Sequence, residues 1–288
     1  PSILYLNVNE VRKNYEFLKQ QKININDVET CLHVLSTDNK DLKETYYYVL
    51  ENYGLMTINR ITSILRCNKD RIIDIEKYGL SKDVTISASV SRRTIYEIEK
   101  IIRICKKYNI EITGSVFKQN ANEIEKIIEV CKKYNIEITG SVFLKSAEEI
   151  EKIIEVCKRY NIEITGRVFL KKSSSLQKTI NFIIENYNER YLTPLIITKE
   201  PKHLSEVMPY LDSLGVLEFI INSASILTLT KEEIEKRVEI IKLLGEDIVK
   251  NGKFNSVFGM NKTRLNKKLN SYKDNDVIYP LIEDYIVK

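Results

Sequence analysis

Residues 123–143 read EIEKIIEVCKKYNIEITGSVF, residues 149–169 read EIEKIIEVCKRYNIEITGRVF, and EIEKIIRICKKYNIEITGSVF at 97–117 precedes both. Three copies at a spacing of twenty-six residues make each copy one supersecondary unit. Such a unit is too small to bury its own apolar face and depends on stacking against its neighbours.

The pattern extends outward from these copies. With Ile98, Ile124 and Ile150 as the first apolar residue of the repeated helix, the equivalent residues are Val11, Leu42, Ile72, Leu176, Leu204, Ile234 and Leu265. Nine positions upstream of each lies an apolar triplet or its degenerate form, from Ser2-Ile3-Leu4 to Ser256-Val257-Phe258. Four positions upstream the column reads Asn7, Asp38, Asn68, Thr94, Asn120, Ser146, Lys172, Glu200, Thr230 and Asn261. Eight of these ten are types that cap a helix N-terminus, where a side-chain oxygen accepts from an orphan backbone N–H. At N3 stand Glu10, Asp41, Glu97, Glu123, Glu149 and Glu233, and a Glu that follows Ser or Thr completes a capping box.

After each cap the apolar residues follow helical spacing, as in Ile98, Ile101, Ile102 and Cys105. Each helix breaks near Tyr-Asn or Gly, and a second element ends in the triplet. In the clear copies that element, NIEITGSVF, is rich in β-branched residues and carries a Gly, which weakens a helix. The divergent MTINRITSILR is more helical, which favours two helices per unit over a β/α repeat. The expectation is an all-α fold: an α-solenoid of about ten stacked helix-turn-helix repeats of 26–31 residues over 1–269, closed by a C-terminal cap at 270–288.

Composition narrows the class. A chain of 288 residues with 43% hydrophobic residues can bury a long strip of core, and no Gly/Ser/Pro-rich linker interrupts it. A net charge of +5, from 45 Lys and Arg against 40 Asp and Glu, is mild and does not by itself define a nucleic-acid binder. No apolar run is long enough to span a membrane and the start has no signal-peptide pattern, so the expected partners exclude membranes and the expected address is cytoplasmic. The chain begins at Pro1, inside a repeat. Cys105, Cys131 and Cys157 share one position on the apolar stripe and are expected as small core residues. Their spacing fits neither a disulfide between packed helices nor a zinc site.

Nothing in the sequence assembles a catalytic centre, and no cofactor or small-molecule substrate is implied. Gly114, Gly140 and Gly166 are one repeat position, and the carboxylates fall on helix faces with bases four residues on. One charge column stands out. Just ahead of the N-cap, six consecutive units carry a base: Arg66, Arg92 with Arg93, Lys118, Lys145, Lys171 with Lys172, and Lys199. Helix N-termini suit phosphate oxygens, and a base beside each would follow a nucleic-acid backbone. Arg71, Ser175 and His203 replace the N3 acid in three units that also carry the upstream base, so those units are expected to hold phosphate best.

The unit resembles the repeat of the mitochondrial transcription termination factor family and its bacterial relatives. Pro1-Ser2-Ile3-Leu4 through Leu18-Lys19 carries the likeness, as does Ser225-Ile226-Leu227 with Thr230 to Gly245. The resemblance implies a curved, non-catalytic helical array that holds duplex DNA or RNA in a basic groove and acts in transcription regulation or termination. The family's Pro stands only at Pro1 and Pro194, and the central copies are shorter than its repeat. The other reading of the residues is a protein-binding scaffold, with Tyr46, Tyr47, Tyr48 and the repeated Tyr108, Tyr134 and Tyr160 as its contact residues.

Overall fold

The computed structural model describes residues 8–23, 32, 34–60, 62–221, 224–250 and 253–285. The first copy's triplet and Asn7 lie outside them. Among the described residues the fold is all-α apart from a two-stranded hairpin that pairs Val249 with Phe254 and Lys250 with Lys253. Each repeat contributes one long helix: α1 (Val8–Gln20), α2 (Asn39–Tyr53), α3 (Lys69–Glu76), α4 (Ile95–Lys107), α5 (Ala121–Lys133), α6 (Ala147–Arg159), α7 (Ser173–Asn186), α8 (Pro201–Ser213), α9 (Lys231–Leu243) and α10 (Lys262–Asn270). The chain forms two compact units, 1–150 and 151–288, divided within α6.

The helix starts follow the cap column. Asp38, Asn68, Asn120 and Asn261 accept from backbone N–H groups of their helices, and Ser146 Oγ accepts from the Glu149 N–H at 3.3 Å. Thr94 with Glu97 and Thr230 with Glu233 close full capping boxes. Lys172 and Glu200 make no such bond, and Pro201 opens α8, where its missing N–H costs nothing.

The helix ends are equally regular. Asn109, Asn135 and Asn161 take φ of 52, 54 and 52°. At the same position Gly215 and Gly245 take 67 and 65°, and Lys22 takes 57°. In each case the next residue's N–H reaches back to a carbonyl of the last helical turn, as Ile110 does to Cys105 and Val216 to Leu211, both pairs forming Schellman closures. Asn and Gly alternate here because both tolerate the left-handed region.

In the central copies the second element is shorter than the two-helix expectation. It is one 3₁₀ turn, Val116–Lys118, Val142–Leu144 or Val168–Leu170, and the IEITG stretch before it is neither helix nor strand. β-branched Ile and Thr and a Gly cannot sustain a helix of several turns there. Gly140 has a packing reason: a Cβ would lie 3.0 Å from Ser115 Oγ of the preceding copy.

Within the first unit α1 packs on α2, α2 on α3 and α4 on α5, while the short elements Thr62–Arg66, Ala88–Ser91, Val116–Lys118 and Val142–Leu144 form a second row. Within the second unit α7 packs on α8 and α8 on α9, with a corresponding row from Val168–Leu170 through Pro194–Ile197 and Ala224–Thr228 to Ser256–Gly259. The core lies between the rows. Ile98, Ile101, Ile124 and Ile127 are fully buried against Val116, Phe117, Val142 and Phe143. Each such aliphatic residue contributes about 1.5–3 kcal/mol relative to exposure. Cys105, Cys131 and Cys157 are fully buried free thiols, and burial pushes each up to about 11. After α10, the hydroxyl of Tyr285 donates to Glu239 of α9 at 2.6 Å, folding the end of the chain back onto the second unit.

Candidate nucleic-acid interface

A short helical turn leaves its last carbonyls without partners. In this chain the preceding repeat supplies them. Asn14 Nδ2 donates to the carbonyls of Leu35 and Thr37 at 2.9 and 2.6 Å, and Thr45 Oγ1 donates to that of Cys67 at 2.9 Å. Arg93 reaches the carbonyls of Phe117 and Lys118 at 3.0 and 3.1 Å, and Gln119 those of Phe143 and Lys145 at 3.0 and 3.1 Å. In the second unit Thr179 donates to Lys199 O at 2.9 Å, and Arg237 donates to Val257, Phe258 and Met260 O at 2.8 Å each. Arg237 is 5% exposed, and burial lowers its pKa while Glu233 opposes that shift.

These bonds sort the basic column. Arg71 donates to the carbonyl of Arg93, and among the described residues its Nε is buried without a hydrogen-bond partner. His203 Nε2 lies 2.9 Å from the carbonyl of Leu227. Arg71 and His203, expected at the best phosphate sites, thus point at backbone carbonyls, and Ser175 is half-buried in the first turn of α7. Arg93 is committed to its two carbonyls and lies 3.4 Å from Glu97. The Thr94 N–H and hydroxyl, with Arg93 beside them, hold the Glu97 carboxyl below its usual pKa. The N-terminus of α4 is therefore satisfied by its own capping box.

Arg92 and Lys118 are exposed in the first unit, and Lys145 is half-buried. With Ala88, Ser89, Arg93 and Phe117, Arg92 and Lys118 line an open cleft of about 500 Å³. Ser89 Oγ donates to Gly114 O at 2.8 Å and fixes one wall. The side chain of Arg66 lies outside the described ones.

The second unit gathers a separate cationic group. Lys171 pairs with Glu200, and Lys172 is exposed. Burial lowers the pKa of Lys199, and the nearby charges of Arg167 and Lys171 lower it further. Arg167 was not among the residues singled out from sequence. Its signal is the change from TGSVF at 139–143 to TGRVF at 165–169, which puts a base at a position that is Ser in the two preceding copies.

The cations near the helix C-termini have a local role beyond the helix dipole. Lys107 and Lys132, from successive helices, lie 4.9 and 4.3 Å from the ring centre of Tyr108, and Lys133 lies 4.8 Å from that of Tyr134. No group of His, Cys, Asp or Glu among the described residues could hold a metal ion, and none of the helices there is long and apolar enough to cross a membrane. No family model, curated protein or solved structure matches this chain.

Proposed function

We propose that this protein is a non-catalytic nucleic-acid-binding repeat protein, an α-solenoid over 1–269 with a cap at 270–288. It holds the phosphate backbone on cations beside its short elements and serves a regulatory role in transcription in the cytoplasm. The observation that supports this reading most is the cleft lined by Arg92, Arg93 and Lys118, where one arginine is fixed by backbone carbonyls and the flanking cations are exposed. Phosphate contact in this reading comes from the side chains of Arg92, Lys118 and Lys145 in the first unit and of Arg167, Lys172 and Lys199 in the second, and not from the N-terminus of α4, which its own capping box satisfies.

The test is fluorescence anisotropy with labelled duplex DNA, single-stranded DNA and RNA at two salt concentrations. The wild type is compared with a variant in which Arg92, Lys118, Lys145 and Lys172 are all Ser. Salt-sensitive binding that the variant loses without a change in melting temperature supports the proposal. Equal binding by the two proteins refutes it.

A protein partner is the second reading. Tyr47 is 54% exposed, with its ring centre 5.3 Å from that of Tyr46, and Tyr15 of α1 is 46% exposed. A pull-down that fails in a Tyr15→Ser, Tyr47→Ser variant would favour it.

A further inference from the structure

Four residues along the chain from Arg92 stands an aromatic ring that the core does not use. Tyr96, in the first turn of α4, is 74% exposed. The same repeat position is polar in every other copy, as at Asp70, Asn122 and Glu148. Tyr96 follows the Thr94 cap by two residues, and Arg93, just before that cap, is tied to the backbone of Lys118 at 3.1 Å. One short stretch, 92–96, thus carries an exposed arginine, a fixed arginine and an exposed ring, and Lys118 lines the same cleft as the two arginines.

We infer that Tyr96 is a base-stacking platform and that the strand held beside Arg92 and Lys118 is single-stranded. This rests on the nucleic-acid reading above and narrows it. In a duplex the base faces are covered by their neighbours, so a protein ring can reach only their edges. In a single strand an unstacked base offers its face to an aromatic ring while its phosphates meet flanking cations. Stacking tolerates any base, so the site takes single strands of RNA or DNA with little sequence preference. Lys100, one turn along α4, lies 3.3 Å from Asn122 Oδ1 and extends the polar edge toward the next copy.

The experiment measures anisotropy of labelled oligo-U, oligo-dT and a duplex of matching length against four proteins: wild type, Tyr96→Ala, Tyr96→Trp, and Arg92→Ser with Lys118→Ser. The wild type should prefer the single strands, with the two sugars telling RNA from DNA. Tyr96→Ala should weaken single-strand binding roughly tenfold, and Tyr96→Trp should restore it. Tyr96→Ala should leave duplex affinity and melting temperature unchanged. Unchanged single-strand affinity in Tyr96→Ala, alongside loss in the Arg92, Lys118 variant, overturns stacking and spares the nucleic-acid reading. A wild type that binds none of the three oligonucleotides overturns both.

Discussion

Arg93 Nε donates to the backbone carbonyl of Phe117 at 3.0 Å, while its neighbour Arg92, lining the same cleft, is exposed. Two adjacent arginines therefore have different physical jobs. Replacing Arg93 with Ala strands the carbonyls of Phe117 and Lys118 and should cost about 1–3 kcal/mol in urea unfolding. Arg92→Ala should leave the unfolding midpoint where it is.

The strongest single coupling between copies should be Arg237, whose Nη1, with two hydrogens shared among them, lies 2.8 Å from three carbonyls while its side chain is buried. Arg237→Met leaves the three carbonyls without this donor and should destabilise by about 3 kcal/mol or more. Arg237→Lys, with a point charge in place of a planar fork, should recover only part of that loss. Thermal unfolding of the three proteins would decide this.

Lys22 holds a left-handed conformation that Asn or Gly holds in the equivalent positions of other copies. Lys22→Gly should therefore stabilise the chain by about 1 kcal/mol, because the Cβ penalty disappears. Asn135→Ala should cost a similar amount by the same argument. Denaturant midpoints that move in the same direction for both would contradict the closure described above.

Burial raises the thiol pKa values of Cys105, Cys131 and Cys157 to about 11, so the native state disfavours their thiolates. Their contribution is fully present below the unfolded thiol pKa of about 8.5 and is lost as pH rises through about 11. Stability should decline across that alkaline window, and Cys131→Ala should make the decline shallower. At pH 8 a thiol-specific reagent should label these cysteines only after denaturant is added.

If Arg92 and Lys118 each neutralise one phosphate, changing both to Ser should reduce the slope of log affinity against log salt by about 1.5. Anisotropy titrations at several salt concentrations would measure it. A lower affinity with an unchanged slope would mean that these residues act on something other than phosphate.

The repeat, the helix starts and the buried stripe could be read from residue types alone, because each depends on local chemistry. Thr94 with Glu97 caps its own helix, Asn109 closes it, and Ile98, Ile101 and Ile102 face inward by helical period. The length of the second element was less legible. In IEITG the β-branched residues and the Gly argued against a helix, but only packing decided that a single 3₁₀ turn suffices to bury Val116 and Phe117.

The basic column shows where local reading stops. Sequence determined that Arg71, Arg92, Arg93 and His203 stand at recurring positions next to helix starts. It could not determine which of them would be consumed, because the carbonyls that take up Arg71, Arg93 and His203 belong to the following copy, 22, 24 and 24 residues away. Asn14, Thr45, Thr179 and Arg237 make the same point from inside the stripe, as polar residues at a position that is Ile in the central copies. Charge and periodicity are properties of the chain, whereas the partner of a donor is fixed only when one repeat is laid against the next.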